Sequence, residues 1–181
     1  MTAAEPDGPH GSVLARCTFP PAGTPLVCGV SGGADSMALL ALAVAAGCDV
    51  TAVHVDHGLR PGSADEAALV GEVAARLGAG FRAERGEVAP GANLEARARA
   101  ARHAVLGPEA ALGHTADDRA ETMVVNLLRG AGPDGLASIR RGPRHPILDL
   151  RRSETEQVCE IEGIVPFVDP SNVDPTFVRN R

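Results

Sequence analysis

Apolar and polar residues alternate along the chain in blocks of two lengths. The short runs Leu26–Val30 and Asp49–Val55 read as buried parallel strands, the second rich in β-branched residues. Longer segments with helical spacing follow each of them. Met37–Ala46 is too apolar to be solvated all round and predicts an enclosed helix. The next helix opens at Ser63-x-x-Glu66, a capping-box pattern, and runs to about Leu77, where Gly78 stops it. A weakly marked strand is expected near Gly80–Glu84. A helix capped by Asn93 continues to about Leu106 and ends at Gly107-Pro108. Its apolar stripe is Leu94, Ala98, Ala101 and Val105, while Glu95, Arg99 and Arg102 line another side. Ala110–Gly113 is the fourth strand, and a helix from about Asp118 to Leu128 follows it.

Four strand-then-helix units in succession predict an α/β fold, a doubly wound parallel sheet with helices on both faces. Ligands of such sheets sit beyond the carboxyl ends of the strands. Three polar clusters fall at those ends: "SGGADS", "VDHGLR" and "GHTADD". They predict one site. After Arg129 the pattern loosens; Ser153-x-x-Glu156 is expected to cap one more helix, and Gly163–Asp169 reads as a last strand. Residues 1–24 open with an acidic, Pro/Gly-rich stretch and are expected to be a flexible N-terminal segment. Residues 25–181 form a single domain in this reading.

Composition changes the picture in three respects. With no Trp or Tyr in 181 residues, Ala, Val and Leu must fill the core. A net charge of −6 argues against nonspecific coating of nucleic acid. Basic residues do cluster locally, with six arginines between Arg129 and Arg152 and two more at Arg179 and Arg181. That cluster fits either a solvated surface or a substrate-facing patch. Cys17, Cys28, Cys48 and Cys159 contain no C-x-x-C pair, a poor spacing for zinc, an iron–sulfur cluster or a redox dithiol. The longest apolar run, Met37–Cys48, falls far short of the ~20 residues that span a bilayer. With no targeting signal in view, a soluble cytoplasmic protein is expected.

The chemistry concentrates in "GVSGGADS", Gly29 to Ser36. Gly32 and Gly33 permit a tight turn whose amides form an anion nest at a helix start. Ser31 and Ser36 add hydroxyl donors, and Ala34 completes the turn. A carboxylate repels phosphate, so Asp35 needs a purpose, and holding a Mg²⁺ that bridges phosphate oxygens supplies one. The lysine of the ordinary P-loop is missing. A nest without it suits attack at the α-phosphorus of ATP, with pyrophosphate leaving from the nest. Asp56 and His57, at the end of the second strand, are candidate ATP contacts; His54 reads as a core histidine. Arg99 suits a phosphate or a carboxylate as a guanidinium fork. Asp117 and Glu121, four apart at a helix start, share a face and suit either an ammonium or ordinary helix-dipole compensation.

"SGGADS" resembles the PP-loop of ATP pyrophosphatases. More narrowly, the chain from about Leu26 onward resembles the tRNA(Ile)-lysidine synthases. The resemblance lies in "HVDHGLR", "NLEARARAAR", "LGHTADDRAET", "LLRGAGPDGLASI", "HPILDLRR" and "DPSNVDPTFVRNR". It implies ATP-dependent ligation of L-lysine to C2 of the wobble cytidine of a tRNA(Ile) with a CAU anticodon. An adenylated cytidine is the intermediate, and pyrophosphate and AMP are the products. On this resemblance Ser31–Ser36 bind ATP, Asp35 helps to hold Mg²⁺, and Arg99, Asp117 and Glu121 bind lysine. His114 and the two carboxylates are candidate bases for the lysine proton, and Arg129, Arg151, Arg179 and Arg181 are candidate tRNA contacts.

This chain departs from the pattern at three positions: Arg119 stands where Gln is usual, His103 where Tyr is usual, and His145 where Arg is usual. It also stops at "VRNR", where family members continue into helical regions that help to grip tRNA. The family resemblance suggests a homodimer, and the shorter length suggests a partner chain or further domain for that grip. Two other readings stay open: another PP-loop adenylating enzyme, such as a tRNA thiolase or an amide-forming ligase, and a nucleotide-binding module that is half of a two-chain enzyme.

Overall fold

The computed structural model describes residues 9–58, 63–88, 91–132 and 139–167. Its centre is a four-stranded, wholly parallel sheet in the order β3-β2-β1-β4. The strands are β1 (Pro25–Gly29), β2 (Asp49–Asp56), β3 (Gly80–Arg85) and the two-residue β4 (Ala111–Leu112). β1 pairs with β2 from Pro25–Asp49 to Gly29–Val53, and β4 joins its other edge through Cys28–Ala111 and Gly29–Leu112. The chain reverses direction of travel across the sheet between β3 and β4, which puts the topological switch point at the carboxyl ends of β1 and β4, where ligands of such sheets bind.

Alternation along the strands divides the core. Leu26 and Cys28 of β1, with Val50 and Ala52 of β2, face α2 (Ala34–Ala45), α3 (Ser63–Leu77) and α6 (Arg152–Ile161). Met37 through Ala43 of α2 are all buried, which explains the missing polar face in that sequence. On the other face Val53 and Leu112 pack with Leu106 of α4 (Leu94–Leu106). The expected double winding is therefore present. α5 (Ala116–Leu128) is different: none of its residues is buried, and Val124, Leu127 and Leu128 are exposed. Its attachment rests on polar contacts of its first turns. No helix among the described residues is long and apolar enough to cross a membrane.

The structure departs from the sequence pattern at several ends. Residues 9–24, expected within a flexible segment, contain α1 (Gly11–Leu14), and Val13, Leu14, Cys17 and Phe19 pack on the core. Polar contacts fix this segment to α6: Arg16 pairs with Glu154, and His10 Nε2 lies 2.6 Å from Glu162 Oε1. α4 begins after Asn93 in a left-handed conformation (φ 58°), without a side-chain cap. Leu94, placed on the apolar stripe by spacing, is half exposed, and Leu106 is the buried anchor. α6 starts two residues earlier than its Ser153-x-x-Glu156 pattern indicates, with Arg151 as its N-cap. Glu154, not Glu156, turns back to accept the Arg151 N–H at 2.9 Å. Ile164–Phe167 is not a strand; Pro166 offers no N–H, and the segment meets the loop after β1 through one bond, Phe167 N–H to Gly32 O at 2.9 Å. Residues 168 and 169 of that expected strand lie outside the described residues.

Candidate active site

The turn after β1 is built from its own serines. Ser36 Oγ donates to Gly33 O at 2.9 Å and accepts the Ser31 N–H at 3.1 Å, closing a small ring. Gly32 has φ 92°, which a Cβ would strain, and its open side faces Phe167. Gly33 is the N-cap of α2, and no side chain caps that helix. The amides at the start of α2 that have no such bond can receive an anion at the carboxyl end of β1. Ala34 and Asp35 begin the helix itself, so α2 opens three residues earlier than its apolar run.

Asp35 is the junction of three elements. The Thr155 hydroxyl of α6 lies 2.5 Å from Asp35 Oδ1 and 2.7 Å from Arg152 O, so its single proton serves two acceptors. Arg152 Nε lies 3.6 Å from Asp35 Oδ2. The same guanidinium reaches Asp118 at 3.3 Å and Glu121 at 3.4 Å on α5, and the Arg152 N–H donates to Asp117 Oδ2 at 2.9 Å. Asp117 and Glu121, paired by spacing alone in the sequence, therefore meet at one residue, Asp117 at its main-chain N–H and Glu121 at its guanidinium. Burial pushes the Asp35 carboxyl above its ordinary value and the charge of Asp118 adds to this, against the pull of Thr155 and Arg152. Burial opposes charge on Arg152, but Asp35, Asp118, Glu121 and Asp117 outweigh it and hold the guanidinium above its ordinary value.

Three carboxylates thus pair with one guanidinium and a fourth, Asp117, sits at its main-chain N–H, an arrangement with a surplus of negative charge that attracts a further cation. All the donors are hard oxygens, which suits Mg²⁺. No three His, Cys, Asp or Glu side chains among the described residues converge as a complete cage. A metal held by Asp35 would take its other oxygens from phosphate and water, as Mg²⁺ commonly does.

Thr115, buried, caps α5: Asp118 Oδ2 accepts both the Thr115 N–H at 2.8 Å and its hydroxyl at 3.0 Å. His114 precedes it. Burial pushes the His114 imidazole down to about 4, with the His145 ring adding to the effect and Asp118 opposing it. Its Nδ1 lies 3.0 Å from His145 Nδ1. Arg99 is exposed and Arg102 half-buried on α4; burial, then the charge of Arg99, lowers Arg102. Both arginines bear electrostatically on His114, so the α4 guanidiniums stand on the β4 side of the site.

At the end of β2, Asp56 Oδ1 accepts the Gly58 N–H at 2.7 Å, and His57 lies against Gly86 with its imidazole lowered by burial. His54 is buried, its Nδ1 3.0 Å from Val30 O, a structural role within the sheet. Arg129 follows α5 and Arg151 precedes α6, both exposed; Arg179 and Arg181 lie outside the described residues. Arg119 is exposed on α5. Two residues were not singled out by sequence: Arg152 and Thr155. The only signal for them was "HPILDLRR" and the segment after it, since their partners stand 31 to 120 positions away.

Two outcomes follow from this packing. An ideal Cβ on Gly113 would come within 2.7 Å of Asp35 O and 2.9 Å of Asp35 C, a collision with backbone. Gly113→Ala is expected to cost about 1–3 kcal/mol by overpacking. A lowered thermal midpoint, together with impaired nucleotide turnover through displacement of Asp35, is the result to look for. His114, lowered from an ordinary value to about 4, stays neutral in the folded state while the unfolded chain takes up its proton near pH 6.5. Stability is therefore lost as pH falls from about 6.5 to 4. Urea midpoints at pH 7 and 4.5 should show on the order of 2 kcal/mol more acid loss in the wild type than in His114→Gln.

A parallel sheet, an uncapped glycine turn after its first strand and a carboxylate at the start of the next helix define a PP-loop nucleotide-binding protein. The chain belongs to the PP-loop domain family, whose profile matches residues 14–181. It is 41% identical over 172 residues to a tRNA(Ile)-lysidine synthase of Nocardia farcinica, covering 90% of this chain and 54% of that protein. The corresponding enzyme of Leifsonia xyli subsp. xyli is 39% identical over 197 residues, covering 100% of this chain and 59% of the relative. The chain thus spans about half the length of the curated relatives it matches. Among solved structures, the U34-tRNA thiolase NcsA from Methanococcus maripaludis superposes with a TM-score of 0.71 at 16% identity, over 88% of this chain and 64% of that one. An NMN synthetase from Francisella tularensis gives 0.55 at 16% identity, over 80% and 63%. These two likenesses speak to the fold.

Proposed function

We propose that the chain is the catalytic PP-loop portion of a tRNA(Ile)-lysidine synthase. It joins L-lysine to C2 of the wobble cytidine, position 34, of tRNA(Ile) with a CAU anticodon, and converts ATP to AMP and pyrophosphate. The observation that carries this reading is the position of Asp35, at the uncapped start of α2 and within the carboxylate cluster of α5. One carboxylate thereby links a phosphate nest to a site that favours a cation. The identity of about 40% to curated tRNA(Ile)-lysidine synthases supports the choice of substrates.

In this reading Ser31, Gly32, Gly33, Ala34 and Ser36 hold the ATP phosphates, with Asp56 and His57 on the adenosine side. Mg²⁺ bound through Asp35 would neutralise charge on the pyrophosphate leaving group. O2 of the cytidine attacks the α-phosphorus and pyrophosphate departs from the nest. Lysine then binds with its ammonium near Asp117 and Glu121 and its carboxylate toward Arg99. Free lysine has a pKa near 10.4, so about one molecule in a few thousand is neutral at pH 7. Nearby carboxylates raise that value further, so a base is needed. The nitrogen loses two protons between ammonium and the C2–NH link: Asp117 or Glu121 accepts the first, and His114, already neutral, takes the second as the bond to C2 forms and AMP leaves. Arg129, Arg151, Arg179 and Arg181 contact tRNA phosphates. Further tRNA grip comes from a region beyond this domain, from a partner or from a second copy.

A thiolase reading is disfavoured by the thiols themselves. Burial pushes Cys17 and Cys28 up to about 12 and Cys159 up to about 11, far from a reactive thiolate. The deciding experiment supplies the chain with labelled lysine, α-labelled ATP and tRNA(Ile) bearing CAU, with Asp35→Ala as control. Label transferred to tRNA by the wild type alone supports the proposal. AMP formed without lysine transfer would leave only an adenylating PP-loop activity.

A further inference from the structure

α6 ends in a Schellman turn that sends the chain back toward β1. Gly163, at φ 61°, donates its N–H to Glu160 O at 3.1 Å, and Ile164 donates to Cys159 O at 2.8 Å. Ile164 is buried in the core, which pins the turn. Pro166 stiffens the three residues that follow, and they carry Phe167 to the loop after β1. There the Phe167 N–H donates to Gly32 O at 2.9 Å. The same helix holds the next two residues of that loop and helix start: Cys159 Sγ donates to Ala34 O at 3.4 Å, and the Thr155 hydroxyl donates to Asp35 Oδ1.

The bond at Gly32 decides which way one peptide unit faces. The Gly32–Gly33 peptide is trans, so its N–H points opposite to its C=O. With Gly32 O turned to the strap, the Gly33 N–H is turned away from it and makes no hydrogen bond among the described residues. The loop itself does not fix this orientation. The Ser36 hydroxyl holds the Ser31 N–H and Gly33 O, which belong to other peptide units. Half a rotation of the 32–33 unit changes ψ of Gly32 and φ of Gly33 together, and carries the latter from −72° to positive values. Glycine at both positions leaves that flip open. Flipped, the unit would present a carbonyl oxygen to a phosphate in place of a donor, and the two would repel.

We propose that Phe167 is a positioning residue, whose main-chain N–H holds the Gly32 carbonyl outward and so keeps the Gly33 N–H aimed at the diphosphate of the nucleotide. The proposal rests on the reading of this turn as a phosphate nest. It gives the strap a role that its side chains do not reveal, since the acting group is a backbone amide.

The test is run on the full chain. An ester in place of the residue-167 amide, made by installing phenyllactate at that position, removes the N–H and keeps the phenyl ring. Phe167→Pro removes both, and Phe167→Ala keeps the N–H. Each variant that unfolds cooperatively is titrated calorimetrically with Mg²⁺-pyrophosphate, which probes the nest, and with adenosine, which does not. The ester and Phe167→Pro should bind pyrophosphate about tenfold or more weakly, the scale of one hydrogen bond to a charged group. Their adenosine affinity should change less than about threefold, and Phe167→Ala should lose less pyrophosphate affinity than the ester. An ester that binds pyrophosphate as the wild type does, or that loses pyrophosphate and adenosine in parallel, would overturn the positioning role. So would a Phe167→Ala loss equal to that of the ester, which would assign the effect to the ring. A wild type that binds adenosine but no pyrophosphate would instead overturn the nest on which the proposal rests.

Discussion

Asp35→Asn is expected to fold and to bind ATP, and to release pyrophosphate about 10²- to 10³-fold more slowly than the wild type. The substitution is almost isosteric. Asn Oδ1 still accepts the Thr155 hydroxyl, and Arg152 retains Asp118 and Glu121, so stability should change by no more than about 1 kcal/mol. What disappears is a negative charge at the mouth of the phosphate nest. In the proposed reaction that charge would hold Mg²⁺, whose charge would stabilise the leaving group, and electrostatic stabilisation of this kind is worth about that loss when removed. Thermal unfolding, ATP binding by fluorescence and pyrophosphate release together check it. Normal pyrophosphate release by Asp35→Asn at ordinary Mg²⁺ would show that the nest works without a carboxylate-bound ion.

The frame of the site was legible because local signals specify it. The runs before Gly29, His57 and Gly113 are apolar, the residues after them are polar or glycine, and parallel strands end in ligand sites for that reason. Sequence also paired Asp117 with Glu121 by helical spacing, and both contact Arg152. It could not supply the partner. Arg152 lies 117 positions from Asp35, and ion pairs at that separation leave no periodic trace. Ser153-x-x-Glu156 pointed to a helix start two residues late, which placed Arg152 in a loop. The apolar stretch around Ile164–Phe167 resembled a strand by composition, whereas Pro166 and the single bond to Gly32 make it a strap against the loop. Capping at Asn93 failed similarly: residue type suggested a side-chain cap, but backbone geometry at φ 58° determined the helix start.

Arg152→Ala is expected to lower lysine transfer by about 10²-fold or more while costing about 1–2 kcal/mol of stability at low salt. The modest stability term follows from exposure: ion pairs at partly exposed sites contribute roughly 0–1 kcal/mol each, and Arg152 makes three of them. The catalytic loss is larger because α5 buries none of its residues and reaches α6 through this side chain and through Asp117 at the Arg152 N–H. Without the guanidinium, Asp35, Asp118 and Glu121 repel one another and the first turns of α5 are free to move away from α2. A misplacement of about 1 Å is enough for a loss of this size. The sign of the pH effect is also fixed. Asp35 is already pushed up by burial and by Asp118, and removing Arg152 raises it further. The ionised form that holds a cation is then lost at higher pH, so the acid limb of the rate profile should move upward. Arg152→Lys should recover part of the rate and return the limb toward the wild type, since a single ammonium keeps the charge but cannot span three carboxylates as a planar fork does. Wild-type kinetics in Arg152→Ala, with an unmoved acid limb, would mean that α5 is held by contacts other than this cation.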